Sequence, residues 1–380
     1  SGFRSLCHLF PGLEAELTGC GAATFEVGRA IRYWRRGRLK QPFESDLQTV
    51  AISRPLLEAV VRRRLSRLPN VELHGHRTVA QLRCVEGQVV GVEVENHAGF
   101  AADFVLEAGG RGSRARRWLE EHDFPTPSST SLDLGLAYAS RYVRLAPDTE
   151  RTWQMLYVGP SREHWTRGGA ILRVEQDRAL VTLAGYLRDH PPLDDAGFSA
   201  FAASIGEELG GPLAGAEFTS EARRFDVPQM VHHHFERLNR HPRGFLVMGD
   251  ALCQLDPCFG QGMTVALQQA QLLGVLLRGS VPPARLPLAF YRRTRALIDA
   301  AWTPSASENF RRPGMQGDRP PGLRGIQWYS GHALDLADRD PGVHRALQEG
   351  FHMCAGPLRL LRPDTLAKVL ARALRPVSLD

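Results

Sequence analysis

The spacing of apolar residues changes period several times along the chain. In residues 1–24, FRSLCHLFPGLEAEL carries a helical pattern that ends near Gly19 and Gly21. Residues 25–49 alternate loosely, which predicts strands around a turn at Arg36-Gly37-Arg38. Leu56, Leu57, Val60, Val61 and Leu65 then recur at helical spacing. Ser53 suits the N-cap of that helix and Pro55 its first position. Short strands are predicted at Val71–Leu73, Val79–Leu82, Val89–Val94 and Asp103–Glu107, and Ser113 can cap a helix after them.

From about 130 to 235 the runs LGLAYASRYVRL, WQMLYVG, GAILRVE and RALVTLAGYL read as a mostly antiparallel sheet, followed by a helix over Asp194–Glu208. Phe245–Met248 is an uninterrupted apolar run, as in a buried parallel strand. Gly249-Asp250 follows it, then a loop through Pro257, then Gly260-Gln261-Gly262 opening a long apolar helix. Pro287–Ala301 predicts another amphipathic helix, Pro304–Pro321 a loop, and 331–338, 341–351 and 363–374 further helices. The last of these is basic and amphipathic, and packing on the domain is the expected use of its apolar stripe rather than a membrane surface.

Composition narrows the picture. The chain has 380 residues, 43% of them hydrophobic, and a formal charge of +6. No stretch reaches the ~20 apolar residues that span a bilayer. Lys40 and Lys368 are the only lysines. The arginine runs, such as Arg62-Arg63-Arg64, sit between apolar helix positions and not beside aromatic clusters, so no nucleic-acid surface is expected. Cys7, Cys20, Cys84, Cys253, Cys258 and Cys354 form no C-x-x-C and read as free thiols of a reducing cytoplasm. His232-His233-His234 is not read as a metal site. Alternate strand residues face opposite ways, and no acidic pattern was found to complete a ligand set.

The segment from Gly244 to Leu277 carries the chemistry. Gly249 lets a ligand approach the backbone, and Asp250 at a strand end can accept hydrogen bonds from hydroxyls. Gly260 and Gly262 leave N–H groups uncovered where a helix begins, which favours an anion. GDALCQLDPCFGQGM resembles the second flavin-binding signature of FAD-dependent monooxygenases of the para-hydroxybenzoate hydroxylase type. Ser53-Arg54-Pro55, ADFVLEAGGRGSRAR and GGAILRVEQDRALVTLAGYLRDHPP are similar to other segments of that family, the last to a bacterial squalene-epoxidase-like subgroup of natural-product tailoring enzymes. Where the family has Asp in the second of these, this chain has Gly109, which puts nicotinamide handling in doubt. No G-x-G-x-x-G turn occurs, so the reading is that a first nucleotide-binding unit of roughly 40–60 residues is missing.

The resemblance implies an α/β fold. An FAD-binding Rossmann-like domain over 1–130 and 241–300 lacks its first βαβ unit. A mainly antiparallel substrate sheet over 131–240 is inserted, and a C-terminal helical region covers 301–380. It implies cofactor contacts from Arg54, Val79, Gly249, Asp250, Pro257, Gly260, Gln261, Gly262 and Met263. It further implies NAD(P)H as reductant, and oxygen transfer to a lipophilic small molecule through a flavin C4a-hydroperoxide. No catalytic side chain is assigned. A halogenase is not expected, because no W-x-W-x-I-P motif occurs. A flavin dehydrogenase or reductase, and a flavin-free binding protein, remain open alternatives.

Overall fold

A computed structural model describes residues 1–148, 151–161 and 164–374. Helices α1 (Gly2–Leu9) and α2 (Leu13–Gly19) open the chain and bury Leu13 and Leu17. Strand β1 (Ala23–Glu26), the single turn α3 (Val27–Ala30) and the hairpin β2 (Ile31–Arg35)–β3 (Arg38–Leu39) follow. The hairpin turns at Arg36-Gly37, both at positive φ, where the sequence places its turn. Strand β4 (Gln48–Ala51) pairs back on β1 and feeds α4 (Arg54–Leu65). The Ser53 hydroxyl caps α4 by accepting from Leu56 N–H, and Arg54 rather than Pro55 is the first helical residue.

Strands β5 (Val79–Val85), β6 (Gln88–Val94) and β7 (His97–Ala101) make an antiparallel sheet. Val71–Leu73 forms no strand: it pairs with nothing, and Leu73 is 52% exposed. Strand β8 (Val105–Glu107) and helix α5 (Ala115–Glu121) come next, with the Ser113 hydroxyl accepting from Ala115 N–H. The long β9 (Ser129–Arg144) begins the main sheet, followed by β10 (Met155–Val158), β11 (Arg167–Val174) and β12 (Arg178–Gly185). Helix α6 (Asp195–Ile205), capped by the Asp194 carboxylate, and α7 (Glu207–Gly210) cover one face. Strands β13 (Glu217–Phe218), β14 (Arg223–His233), β15 (Phe245–Val247) and β16 (Cys253–Gln254) lead to α8 (Gly262–Arg278) and α9 (Leu286–Asn309). Strand β17 (Gln316–Gly317) and helices α10 (Leu323–Leu336), α11 (Pro341–Phe351) and α12 (Pro363–Ala373) finish the described chain.

The main sheet runs β16-β14-β9-β12-β11-β10-β2-β3, with β13 and β17 also on β9. Every pair in it is antiparallel except β10 with β2. The sheet therefore takes strands from outside 131–240, because β2 and β3 extend its edge. Strands β15 and β8 form a separate two-stranded parallel sheet in the mixed α/β fold. Helix α9 continues through Pro304 to Asn309, where the proline predicts a loop. A mid-helix proline costs about 3 kcal/mol. Full burial of Ala301, Ser305, Ala306 and Asn309 offsets that cost. Among the described residues, no helix is long and apolar enough to cross a membrane.

Helix α9 fixes β15. The Tyr291 hydroxyl accepts from the buried Val247 N–H at 2.8 Å. Tyr291→Phe leaves that N–H unpaired, and the expected loss of stability is about 1–3 kcal/mol. Urea unfolding of the two proteins measures it, and equal midpoints with equal slopes would contradict this role.

Candidate functional site

Strand β15 is buried along its length and is followed by Met248, whose N–H donates to Glu107 O of β8 at 2.9 Å. Gly249 then adopts φ +65, with nothing within 4 Å of where a Cβ would stand. Its N–H donates to Gln269 Oε1 at 2.7 Å, so α8 pins the turn. Asp250 lies between two glycines. A Cβ on Gly262 would sit 3.6 Å from Asp250 Oδ1, and one on Gly110 would sit 4.0 Å from Asp250 Cβ. Among the described residues the Asp250 carboxylate accepts no hydrogen bond. Burial pushes its pKa up, opposed by Arg111 and Arg54.

The loop beyond is held by Asp256, which has no solvent exposure. Its Oδ2 accepts from the Tyr186 hydroxyl and from Asn309 Nδ2, each at 2.9 Å, and its Oδ1 accepts from Cys258 N–H at 2.9 Å. The Arg312 guanidinium donates to Asn309 Oδ1 at 2.5 Å and stacks 3.7 Å from the Tyr186 ring. Burial, with Asp256 nearby, pushes the Cys258 thiol up, so it stays protonated at neutral pH and fits a packing role. Gly260 turns at φ +64 with open space on its Cβ side. Gln261 donates to Phe351 O at 2.8 Å while its Oε1 is buried without a partner. Helix α8 starts with no side-chain cap, so its first N–H groups are free for an incoming acceptor.

This loop forms one wall of a cavity of about 1180 Å³. That exceeds the ~300–1,000 Å³ of a single drug-sized site. Arg54, Pro257, Gly260, Gln261 and Met263 line it. Facing residues of the main sheet include Tyr157, Ala170, Leu172, Thr182 and Tyr186. Gly249, Asp250 and Gly262 stand behind that wall, tied to it through the start of α8. Val79 lies apart on β5, where its carbonyl accepts from Arg114 at 3.4 Å. Arg54 also pairs with Glu58 at 2.7 Å, in the manner of an ordinary helix-entry arginine. The residues fit a flavin in two respects: a partly buried carboxylate with unspent acceptors, and a glycine-opened helix N-terminus.

Sequence reasoning missed Tyr186, Asn309, Arg312 and Arg111, because they are distant in the chain and meet only through packing. It also missed Glu236. His232 on β14 and His234 just past its end lie close together, and with Glu236 their ligand atoms all lie within 4.8 Å of one another. His234 is already bonded to Glu236 at 2.9 Å and Thr130 at 2.7 Å. Glu236 escapes the strand pattern because it sits on the turn after the strand.

The fold is similar to that of solved flavin-dependent monooxygenases and halogenases. Residues 217–283 match the squalene epoxidase family model. Protein Rv3254 of Mycobacterium tuberculosis is 29% identical over 337 residues, covering 80% of this chain and 68% of that protein. A triple mutant of the flavin-dependent brominase Bmp2 superposes with TM-score 0.68 at 12% identity, covering 98% of this chain and 87% of its own. PqsL of Pseudomonas aeruginosa, described as a probable FAD-dependent monooxygenase, gives TM-score 0.59 at 18% identity over 82% of this chain and 85% of its own. A flavoprotein/dehydrogenase from Cytophaga hutchinsonii gives 0.64 at 15% over 98% and 87%. Similarity at these identities fixes the fold and leaves the reaction to the site.

Behind the cavity, the His344 ring packs edge-on against Tyr33 and Phe43, with centroids 5.6 and 4.9 Å away. Burial pushes its pKa down to about 4, helped by Lys40 and Arg35 and opposed by its bond to Gln41 and by Asp338. An unfolded histidine titrates near 6.5, so the unfolded chain takes up the proton first. The neutral ring therefore contributes stability above pH ~6.5, and that contribution is lost as pH falls from 6.5 toward 4. His344→Gln is expected to flatten the stability–pH curve in that window by up to about one proton. Urea unfolding at a series of pH values reads it; an unchanged slope would place the titration elsewhere.

Proposed function

We propose that this chain is an FAD-dependent monooxygenase, reduced by NAD(P)H, that transfers one oxygen atom to a lipophilic small molecule. The observation that carries the reading is the Asp250 carboxylate, half-buried and without a hydrogen-bond partner among the described residues, beside the uncapped start of α8 and just behind the loop that walls a large apolar cavity. The relatives' descriptions support it: a squalene epoxidase match, and a solved complex of PqsL with 2-aminobenzoylacetate. We assign 1–130 and 241–300 to cofactor binding, 131–240 to the substrate sheet with β2 and β3 added to its edge, and 301–380 to a bracing helical region.

Bound FAD supplies hydride acceptance and oxygen activation, which no amino-acid side chain provides. The protein's residues do the rest. Asp250 accepts from ribityl hydroxyls, with Gly249 and Gly110 leaving room for close approach. The uncapped N–H groups at the start of α8, those of Gly262 and Met263, would stabilise negative charge on a bound flavin ring. Tyr186, held by Asp256, fixes the opposite wall, and the apolar sheet face excludes water from the reacting centre. Arg54 lines the cavity and its charge opposes the rise in the Asp250 pKa, which supports a role for it at the cofactor.

A dehydrogenase is the second reading, favoured by one detail. Gly109 stands where the resembled family carries Asp, and its N–H is taken by Glu107 at 3.1 Å. The two readings part on oxygen: the first requires oxygen uptake coupled to product, the second turns over with an added electron acceptor alone.

The purified protein is expected to show a flavin absorption spectrum and to release FAD on denaturation. Asp250→Ala is expected to reduce FAD retention at least about tenfold, the scale of one lost charged hydrogen bond. Retention equal to that of the parent would remove Asp250 from the cofactor site. A colourless protein that ignores added FAD would sink the oxygenase reading altogether.

A further inference from the structure

The cavity's charged residues point to what its occupant carries. Strand β2 alternates, so Ile31, Tyr33 and Arg35 share one face, and all three line the cavity. Phe25, Met155 and Leu172 complete an apolar lining around them. Arg35 ends this stripe with its side chain only 21% exposed. Among the described residues its guanidinium forms no hydrogen bond. Its one ion-pair contact is to Glu308 at 3.5 Å, beyond good hydrogen-bond length. A buried guanidinium has five N–H donors to satisfy, and here they are unspent.

A second donor stands beside it. Tyr157, across the parallel β10–β2 pair, also lines the cavity, and its hydroxyl forms no hydrogen bond among the described residues. Gly159 keeps the space between them open: a Cβ there would stand 3.1 Å from the Tyr157 ring and 3.2 Å from Arg35 Cγ.

The charge in this corner does not close. Burial pushes the Glu308 pKa up, yet the pull of Arg35, Arg311, Arg36 and Arg312 wins and holds it below the usual carboxylate range. Of those four cations, Arg311 holds Glu308 at 3.0 Å, Arg36 pairs with Asp335 at 3.2 Å, and Arg312 is tied to Asp256 through Asn309. Four guanidinium groups against three carboxylates leave one positive charge, and the loosely held member is Arg35.

We propose that Arg35, with the Tyr157 hydroxyl, receives the carboxylate of a monocarboxylate substrate whose remaining body is apolar. The inference rests on the reading of this cavity as the substrate site. The planar guanidinium fork matches two carboxylate oxygens at once, which a lysine would not do. The apolar body then lies along the sheet face toward the Pro257–Gln261 loop. Arg35 is thus a specificity-determining residue, and an ester or alcohol of the same body is a poor ligand.

The probe is dansylaminoundecanoate, a carboxylate on an apolar chain, titrated by fluorescence beside its methyl ester. FAD content is read from the visible spectrum of the same samples. The acid is expected to bind at least about tenfold more tightly than the ester, as expected for hydrogen bonds to a charged group. Arg35→Gln should remove that preference and leave ester binding unchanged, and Arg35→Lys should restore it only in part. Equal binding of acid and ester to the parent protein overturns the proposal without any variant. So does a preference that survives in a folded Arg35→Gln protein, or acid binding that added FAD abolishes, which would give the anion site to the cofactor. An acid preference in a protein that takes up no FAD would keep the carboxylate site and fail the oxygenase reading alone.

Discussion

One carboxylate without solvent contact, that of Asp256, joins the parts of this molecule that matter for its site. It takes hydrogen bonds from the residue just after β12 through Tyr186, from the end of α9 through Asn309, and from its own loop through Cys258. Removing a charged group from water is costly, and it is tolerated only when hydrogen bonds and opposite charge replace the lost hydration. Here the replacement is the meeting of those segments. If any of them moves, the carboxylate loses one of its three hydrogen bonds with no water to replace it. The Pro257–Gln261 wall therefore stands at a fixed position against the sheet, and the cavity between them has a defined depth.

Two regimes of electrostatics coexist in that cavity. Near the loop, the polar groups are spent on one another: Tyr186, Asp256, Asn309 and Arg312 form a closed network that positions backbone. At the far wall, among the described residues, Arg35 and Tyr157 keep their hydrogen-bond donors free, and Asp250 behind the loop keeps its acceptors free. Satisfied groups build the scaffold, and unsatisfied ones mark where a ligand completes the structure. The shared fold cannot make this distinction, because the same architecture serves bromination, oxygenation and dehydrogenation among its structural neighbours.

How much of this was legible in the sequence depends on range along the chain. Local signals read well: the Ser53 cap, the Arg36-Gly37 turn and the Gly-Gln-Gly start of α8 are each set by a few adjacent residues. Pro304 misled because its penalty is local while the burial that outweighs it comes from distant partners. Val71–Leu73 misled in the opposite sense, since an apolar run needs a partner strand to become one. Gly249, Asp250 and Gly260 were legible as a motif. Arg35 was not, because an arginine at a strand end is unremarkable until cross-strand pairing shows it lining an apolar cavity. Glu236 was hidden by its place on a turn, outside the two-residue period that aligns His232 with His234.

Helix α9 touches the site at two distant points. Tyr291 holds β15, which leads into Gly249 and Asp250, and Asn309 holds Asp256. The two residues are separated by about five turns, roughly 27 Å of helix, and so fall on the same side of the rod. The helix thus works as a gauge block between the two halves of the loop. Its sequence can drift on the exposed side, but its length cannot: one residue inserted between Tyr291 and Asn309 would swing one anchor about 100° from the other. In this stretch, evolution is free to exchange residues and is barred from adding or deleting them.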